Sequence, residues 1–477
     1  MNQVDPSGGG RAVVIGGSVA GLLAARVLAD RFARVTILER DRGALHGDGD
    51  GDGDGDGDKA VGEAERAGVP HARHLHVLLQ RGQLAFEELF PGLRAELEAL
   101  GAEPVRQGTD FRVLFRSGWA PAVTNGLELL SLTRGLLERV LRRRVRALPA
   151  VEWRAGARVD GLLPGAGGAG KGGGASPSGV AGVRCDGQAI AAELVVDATG
   201  RGSAGPRWLA ELGYPPPDEE VVDAFWGYAM RLYRRPARLP SWKQLLILHR
   251  PPDQPRVGVV QPIEGGRWLL NLAGVMKDYP PTDEPGFLAF LRSLPSPEIY
   301  DAIRDAEPLS PIHGFRHTAN RLRRYERRRR APERLIFVGD AVCAFNPVYG
   351  QGMTVAALEA LALRRRVAAT PLPRLAGAFQ RDVARIVAGP WMFATSEDSR
   401  WPGTAGAVRS GKVRLLHWYV DRVIDAIPTR PAVYRRFQAA QHMTRSPAVL
   451  FEPAVLAALA ARALRAQRPA AARSGSA

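Results

Sequence analysis

The chain begins with a short apolar run, AVVIG (12–16), and a glycine-containing turn. AGLLAARVLADRF (20–32) follows, with apolar positions recurring at helical spacing, and then RVTILER (34–40), which alternates and is β-branched. This pattern predicts strand, tight turn, helix, strand. VEWRAGARVDGLL (151–163) and VAGVRCDGQAIAAELVVDATG (180–200) read as strands flanking a glycine-rich loop, PGAGGAGKGGGASPSG (164–179). DAFWGYAMRLYRR (223–235), QLLILHR (244–250) and RVGVVQPIEGGRWLLNLAGV (256–275) predict a separate β-sheet layer. From residue 353 the pattern turns helical, and the C-terminal Ala/Arg run reads as a frayed end. GDGDGDGDGDGD (47–58) lacks packing surface and reads as a solvated insertion. Calcium loops need fixed ligand spacing and a closing bidentate carboxylate, which this tract does not offer.

Composition narrows the class. With 45% hydrophobic and 24% charged residues over 477 positions, the chain has the make-up of a globular enzyme of two packed domains or one composite domain. The net charge of +16 rests almost wholly on arginine, since only five of the 65 basic residues are lysine. Apart from RRRVR (142–146) and RLRRYERRRR (321–330) the arginines are scattered, so they read as solvated surface and no nucleic-acid partner is expected. Two cysteines, Cys185 and Cys343, make no disulfide framework. The start shows no charged region followed by an apolar core, and no uncharged apolar run reaches spanning length. A cytoplasmic location without a membrane span is the expectation.

The first turn carries candidate chemistry. Gly16 and Gly21 occupy two positions of a G-x-G-x-x-G fingerprint, and Ser18 stands where the second glycine is usual. Gly16 serves the tight turn and Gly21 the close helix packing. At position 18 a small side chain leaves room for a diphosphate at the helix N-terminus, and the Ser18 hydroxyl adds a donor. Glu39, ending the second strand, suits ribose hydroxyls. The fingerprint alone leaves NAD and FAD both open. A second element favours FAD. In ERLIFVGDAVCAFNPVYGQGM (333–353) an apolar strand ends in Gly-Asp, placing Asp340 to accept from a polyol such as a ribityl chain. The loop then opens a helix whose N-terminal amides suit a flavin pyrimidine ring.

The fingerprint, LVVDATGRGS (194–203) with Asp197 and Gly200 at its centre, and the Gly-Asp motif at 339–340 stand in the order found in group A flavoprotein monooxygenases, and the chain resembles that family. PHARHLHVLL (70–79), PIEGGRWLLNLAG (262–274) and ATSEDSRWPG (394–403) resemble the actinobacterial branch that includes the flavin-dependent epoxidases of polyether biosynthesis. The likeness runs from about residue 11 to 403, omits the Gly-Asp repeat and fades over the last 70 residues.

The resemblance implies an α/β fold: an FAD-binding Rossmann-like domain of the glutathione-reductase type, interleaved with a β-sheet substrate domain and followed by a helical C-terminal part. The FAD-binding parts would be 1–110, 136–215 and 321–390. Residues 111–135 would make an excursion toward the substrate domain at 216–320, and 391–477 would be the helical region. FAD contacts are implied for Gly16, Ser18, Gly21, Glu39, Arg40, Arg73, Arg134, Asp340, Gly350, Gly352 and Met353. His71, His74 and His76 around Arg73 read as a polar lining near the flavin. They alternate between faces and have no carboxylate or cysteine partner nearby, so no metal is expected.

In this family the reduced flavin forms a C4a-hydroperoxide with O2, so the protein needs no catalytic dyad and none is visible. The resemblance implies NADH or NADPH as reductant and a hydrophobic small-molecule substrate, of polyketide type. Phe225, Trp226, Tyr228, Tyr233 and Trp268, with Pro347, are the candidate pocket residues, each equally suited to core packing. Epoxidation and hydroxylation both remain open, as do oligomeric state and the choice of nicotinamide. Three other readings stand beside the monooxygenase: an FAD-dependent prenyl or alkene reductase, a flavin-dependent halogenase, and a degenerate flavin-binding scaffold. The halogenase reading lacks a W-x-W-x-I-P segment and a suitable early lysine, Lys59 lying next to the Gly-Asp tract.

Overall fold

The computed structural model describes residues 10–42, 72–165, 167–168, 176–177 and 179–466. The Gly-Asp tract at 47–58, His71 and most of the glycine-rich loop at 164–179 lie outside them. The chain runs β1 (Arg11–Ile15), α1 (Val19–Leu28), β2 (Arg34–Glu39), α2 (Gln80–Leu89), α3 (Leu93–Ala99), β3 (Glu103–Arg106), β4 (Phe111–Phe115), β5 (Gly118–Trp119), β6 (Glu128–Ser131), α4 (Arg134–Arg146) and β7 (Val151–Ala155). It continues with β8 (Val159–Pro164), β9 (Gly167–Gly168), β10 (Ser176–Pro177), β11 (Val180–Cys185), β12 (Gln188–Ala191), β13 (Leu194–Asp197), α5 (Gly205–Glu211), β14 (Glu219–Val222) and β15 (Gly227–Arg234). Next come β16 (Gln244–Ile247), β17 (Arg256–Ile263), β18 (Arg267–Gly274), α6 (Glu284–Arg292), α7 (Glu298–Ile303), β19 (His313–Phe315) and β20 (Asn320–Arg323). The C-terminal part contains β21 (Leu335–Phe337), β22 (Cys343–Ala344), α8 (Gly352–Ala369), α9 (Leu372–Asp398), α10 (Gly411–Ala426), α11 (Pro431–Gln441) and α12 (Pro453–Ala466).

Two sheets dominate. The first has five strands in the order β21-β13-β1-β2-β7, all parallel. Its strands β1, β13 and β21 carry continuous apolar runs because these parallel strands are buried on both faces. Val13, Val14, Val195, Val196 and Ile336 are fully buried. Helix α1 packs on α8 and α4 against this sheet. A three-stranded antiparallel sheet, β12-β11-β8, is inserted between β7 and β13.

The second sheet has seven strands, β19-β15-β18-β17-β16-β4-β5, antiparallel except for the β16–β4 pair. Period-two alternation gives it two distinct faces. One face carries Ala229, Tyr233, Trp268, Leu270 and Leu272 and packs on Phe287, Phe290 and Leu291 of α6 and Ile299 and Ile303 of α7. Tyr228, Met230, Leu269, Asn271 and Ala273 point the opposite way. On that side Leu75 and Trp401 lie against the sheet, and Asn271 meets His74. At the far end, Val113 and Phe115 of β4 are covered by Val423, Val433, Tyr434 and Val455 of the last three helices. Each large apolar side chain so buried contributes about 1.5–3 kcal/mol.

No helix among the described residues is long and apolar enough to cross a membrane. The arginine run at 321–330 is paired in large part: Arg323 with Glu219, and Arg324 and Arg327 with Glu220.

Candidate functional site

The turn after β1 is as tight as its glycines allow. Gly16 has φ +100°, and a Cβ there would lie 2.6 Å from the Ala198 carbonyl oxygen. A Cβ on Gly21 would come within 1.9 Å of the Gly16 oxygen, so α1 reaches this position only with glycine. The Gly17 amide donates to Glu39 Oε2 at 2.8 Å and the Asp41 amide to Oε1 at 2.9 Å. Glu39 is thereby fixed, buried at the end of β2, with the Trp153 ring beside Gly17. Arg40, the next residue, is exposed.

Ser18 precedes α1 in an extended conformation, and its side chain does not cap the helix. The hydroxyl instead accepts from Arg134 Nη2 at 2.8 Å and donates to Glu138 Oε2 at 3.1 Å. Arg134 opens α4, whose first turn is capped by Thr133 accepting from the Leu136 amide at 3.1 Å. Glu264 in turn accepts from the Thr133 amide at 2.9 Å and from its hydroxyl, tying α4 to the β17–β18 turn. Glu138 is 3% exposed and also receives Arg142 Nη2 at 3.3 Å. The backbone amides opening α1, where the helix dipole is positive, thus lie beside an arginine and carry no side-chain cap.

The Gly-Asp motif meets this turn directly. Gly339 has φ +60°, a Cβ on it would sit 2.8 Å from the Ala20 methyl, and its amide donates to Glu359 Oε2 at 2.6 Å. Burial pushes the Asp340 carboxyl up, while the nearby Arg201 and Arg134 guanidiniums pull it back. Arg201 donates to the carbonyls of Ala319 and, at 3.1 Å, Phe345. It follows Gly200 in the 194–203 segment, where Asp197 is fully buried and takes hydrogen bonds from the Thr199 amide, the Thr199 hydroxyl and the Ser203 hydroxyl. Asp197 therefore shapes its own turn. Gly350 has φ +64°, and a Cβ there would be 3.3 Å from Val77 Cβ. Gly352 begins α8, with Asp340 Oδ1 3.9 Å from where its Cβ would be, and Met353 is nearly buried beside it. Gln351 precedes the helix without capping it, and its buried amide oxygen has no hydrogen-bond partner among the described residues.

The fingerprint, Arg134, Asp340 and the 350–353 loop are therefore gathered around the N-termini of two packed helices, α1 and α8. Arg73 lies farther off, with Nη1 3.2 Å from His313 Nδ1 on the edge strand β19. His74 is buried against the sheet, its Nδ1 3.2 Å from Asn271 Oδ1 and its ring near Tyr228 and Phe315. Burial pushes it down to about 4, so the imidazole is neutral at physiological pH. His76 is likewise lowered by burial to about 3. Among the described residues no group of three or more His, Cys, Asp or Glu is placed to hold a metal.

The candidate pocket residues do not share one surface. Tyr228 lies on the face turned to the Gly-Asp loop, where its hydroxyl bonds Asn346 Oδ1 and accepts from the Val348 amide at 3.0 Å. Pro347 belongs to that loop. Phe225 has φ +56° and takes the Lys277 ammonium 4.9 Å over its ring. Trp226 is fully buried and donates to Asp398 Oδ1 at 2.9 Å. Tyr233 and Trp268 lie apart from these residues. Both sit on the opposite face, packed toward α6 and α7, with Trp268 stacked on Trp242 at 5.8 Å. They are core residues, because an odd number of positions separates each from the strand positions that face the loop.

Four polar residues near this region escape the sequence pattern: Glu138, Asn271, Glu359 and Asp398. Glu359 and Asn271 left a signal, each being the one polar residue in a long apolar stretch, VAALEALAL (355–363) and WLLNLAG (268–274). Glu138 and Asp398 sit among other charged residues and left none.

No family model matches the chain. Protein Rv3254 of Mycobacterium tuberculosis (strain ATCC 25618 / H37Rv) is 32% identical over 473 residues, covering 92% of this chain and 91% of that protein. Among solved structures, PqsL of Pseudomonas aeruginosa, described as a probable FAD-dependent monooxygenase, matches with TM-score 0.59 at 16% identity, covering 82% of this chain and 97% of its own. The flavin-dependent brominase Bmp2 matches with TM-score 0.61 at 14% identity over 96% of this chain and 99% of its own. The anhydrotetracycline hydroxylase OxyS of Streptomyces rimosus matches with TM-score 0.56 at 17% identity over 91% and 76%. The chain belongs to the family of Protein Rv3254, and its fold is the one shared by these flavin-dependent monooxygenases, hydroxylases and halogenases.

Proposed function

We propose that this protein is an FAD-dependent monooxygenase that uses NAD(P)H and O2 to epoxidise or hydroxylate a hydrophobic small molecule of polyketide type. The observation that carries the reading is the contact of Gly339 with Ala20, which sets the Gly-Asp motif against the fingerprint helix. The likeness in fold to PqsL and OxyS supports it.

The residues present fit FAD. The amides at the start of α1, with Arg134 beside them, offer donors to a diphosphate. Glu39 offers a carboxylate for ribose hydroxyls and Asp340 one for a ribityl chain. The uncapped start of α8 and the unpartnered Gln351 oxygen suit a ring that presents both acceptors and an N–H. We take the parallel sheet with its antiparallel insertion as an FAD domain of the glutathione-reductase type, and residues 216–320 as the substrate layer. FAD would supply the oxygen-activating redox chemistry. The protein's task is to orient the substrate and keep water out, and the face bearing Tyr228, Asn271 and Ala273 suits that role, with neutral His74 as a hydrogen-bonding group at its wall.

Purified protein tests this. A yellow preparation whose NAD(P)H oxidation is stimulated by substrate, with O2 uptake matched to oxygenated product, is the expected result. Alkene reduction without O2, or a bromide-dependent product, would replace the monooxygenase by a reductase or a halogenase. A colourless protein that FAD cannot reconstitute would overturn the flavin reading.

A further inference from the structure

Asp398 ends α9 with its carboxylate 1% exposed. It accepts hydrogen bonds from Trp226 Nε1 at 2.9 Å, Tyr349 OH at 2.6 Å and Asn320 Nδ2 at 2.6 Å. These donors come from three separate stretches: the entry to β15, the loop after the Gly-Asp motif, and β20. The bonding continues beyond the carboxylate. Asn320 Oδ1 accepts from the Asn346 amide at 2.8 Å, and the Asn346 side chain is itself bonded by Tyr228, whose hydroxyl holds the Val348 amide at 3.0 Å. Asn346, Val348 and Tyr349 are thus all tied to one network, and Pro347 between them is stiff by covalent structure. The Asp398 end is fixed as well, since its backbone oxygen accepts from the Trp401 amide at 3.2 Å and the Thr404 hydroxyl at 2.6 Å.

Burying a carboxylate costs several kcal/mol unless it is well bonded. All three donors here are neutral, so the charge is solvated by dipoles and is not cancelled by them. Burial pushes Asp398 up to about 6, so it is ionised at pH 8. An apolar junction of similar shape would hold the loop without this cost, which argues that the charge has a use.

We propose that Asp398 is a positioning residue: it clamps residues 346–349 against the seven-stranded sheet and places a buried negative charge behind the loop that faces the flavin. The inference rests on the FAD reading above. A negative charge at that place disfavours added electron density on the ring, and it therefore lowers the flavin's reduction potential.

The test uses full-length holoprotein at pH 8, carrying Asp398→Asn or Tyr349→Phe. Fluorescence titration gives FAD affinity, absorbance the flavin band shape, and spectroelectrochemistry the midpoint potential. Asp398→Asn is expected to weaken FAD about tenfold, which corresponds to one hydrogen bond to a charged group, and to raise the potential. Tyr349→Phe is expected to weaken FAD and alter the band shape with a smaller change in potential. Wild-type affinity, bands and potential in both variants would overturn the clamp. If Asp398→Asn does not fold, Tyr349→Phe decides alone. A wild-type protein that never holds FAD sinks the flavin reading, whereas a wild-type flavoprotein indifferent to both substitutions sinks only the clamp.

Discussion

Arg134 donates to the Ser18 hydroxyl at 2.8 Å, and the same hydroxyl donates to Glu138 at 3.1 Å. Ser18 therefore links the fingerprint turn to α4, a task that glycine cannot perform. Ser18→Gly completes the usual fingerprint, yet it is expected to destabilise the protein by about 1 kcal/mol or more and to weaken FAD binding, since a bond from a guanidinium is lost. Urea unfolding and FAD titration check this; tighter FAD binding in the glycine variant contradicts it.

Gly17 and Gly21 are constrained by different neighbours. A Cβ on Gly17 meets the Trp153 ring at 2.3 Å, whereas one on Gly21 meets the Gly16 backbone oxygen at 1.9 Å. Gly17→Ala is expected to cost about 1–3 kcal/mol, and most of that should return in a Trp153→Val background. Gly21→Ala should find no such relief. A double-mutant cycle on unfolding free energies measures the difference.

Glu359 has a pH signature. Burial pushes it from 4.5 up to about 8 despite the Gly339 amide that it accepts. Between those values the folded state binds more protons than the unfolded state, so stability falls as pH rises through that window. Glu359→Gln removes this penalty. The variant should melt close to the wild type near pH 5 and be more stable by on the order of 5 kcal/mol near pH 9. Equal melting curves at both pH values would refute the assignment.

The two faces of the seven-stranded sheet are expected to separate stability from substrate handling. Trp268→Ala, on the α6/α7 side, is expected to cost about 3–5 kcal/mol of stability and to leave KM unchanged in the folded fraction. Asn271→Ala is expected to change KM with a small stability cost. Because the Asn271 bond raises the His74 value against burial, its loss should also push His74 lower still, which NMR titration of the imidazole reads.

Local pattern was enough to see the opening strand, helix and strand, because β1 is a continuous apolar run and α1 has helical spacing. The glycine and aspartate positions of the fingerprint and the Gly-Asp motif were equally readable, since each is demanded by a backbone turn or a strand end. Which face an aromatic residue occupies was not. Tyr228 and Tyr233 stand on one strand and are both buried, and only the packing of α6 and α7 decides which of them turns away from the Gly-Asp loop. Asp398 and Glu138 were hidden for a related reason: their partners arrive from distant segments, and nothing in the adjacent residues announces them. The closing of the sheet by the last three helices was likewise invisible, as those helices are amphipathic and the pattern does not say what they cover.

The order of strands in the parallel sheet has a consequence for how the protein is made. Strand β1 is central, yet its neighbour β13 is not made until residues 194–197 and the edge strand β21 not until 335–337. Until then the first strand, helix and strand have one open flank of unpaired backbone and apolar side chains. Such long-range parallel pairing is slow to form and exposed to misassociation. Production of this protein should accordingly be limited less by the stability of the finished molecule than by how long its first strands wait for their partners, and a chaperone holding the nascent chain should raise its soluble yield.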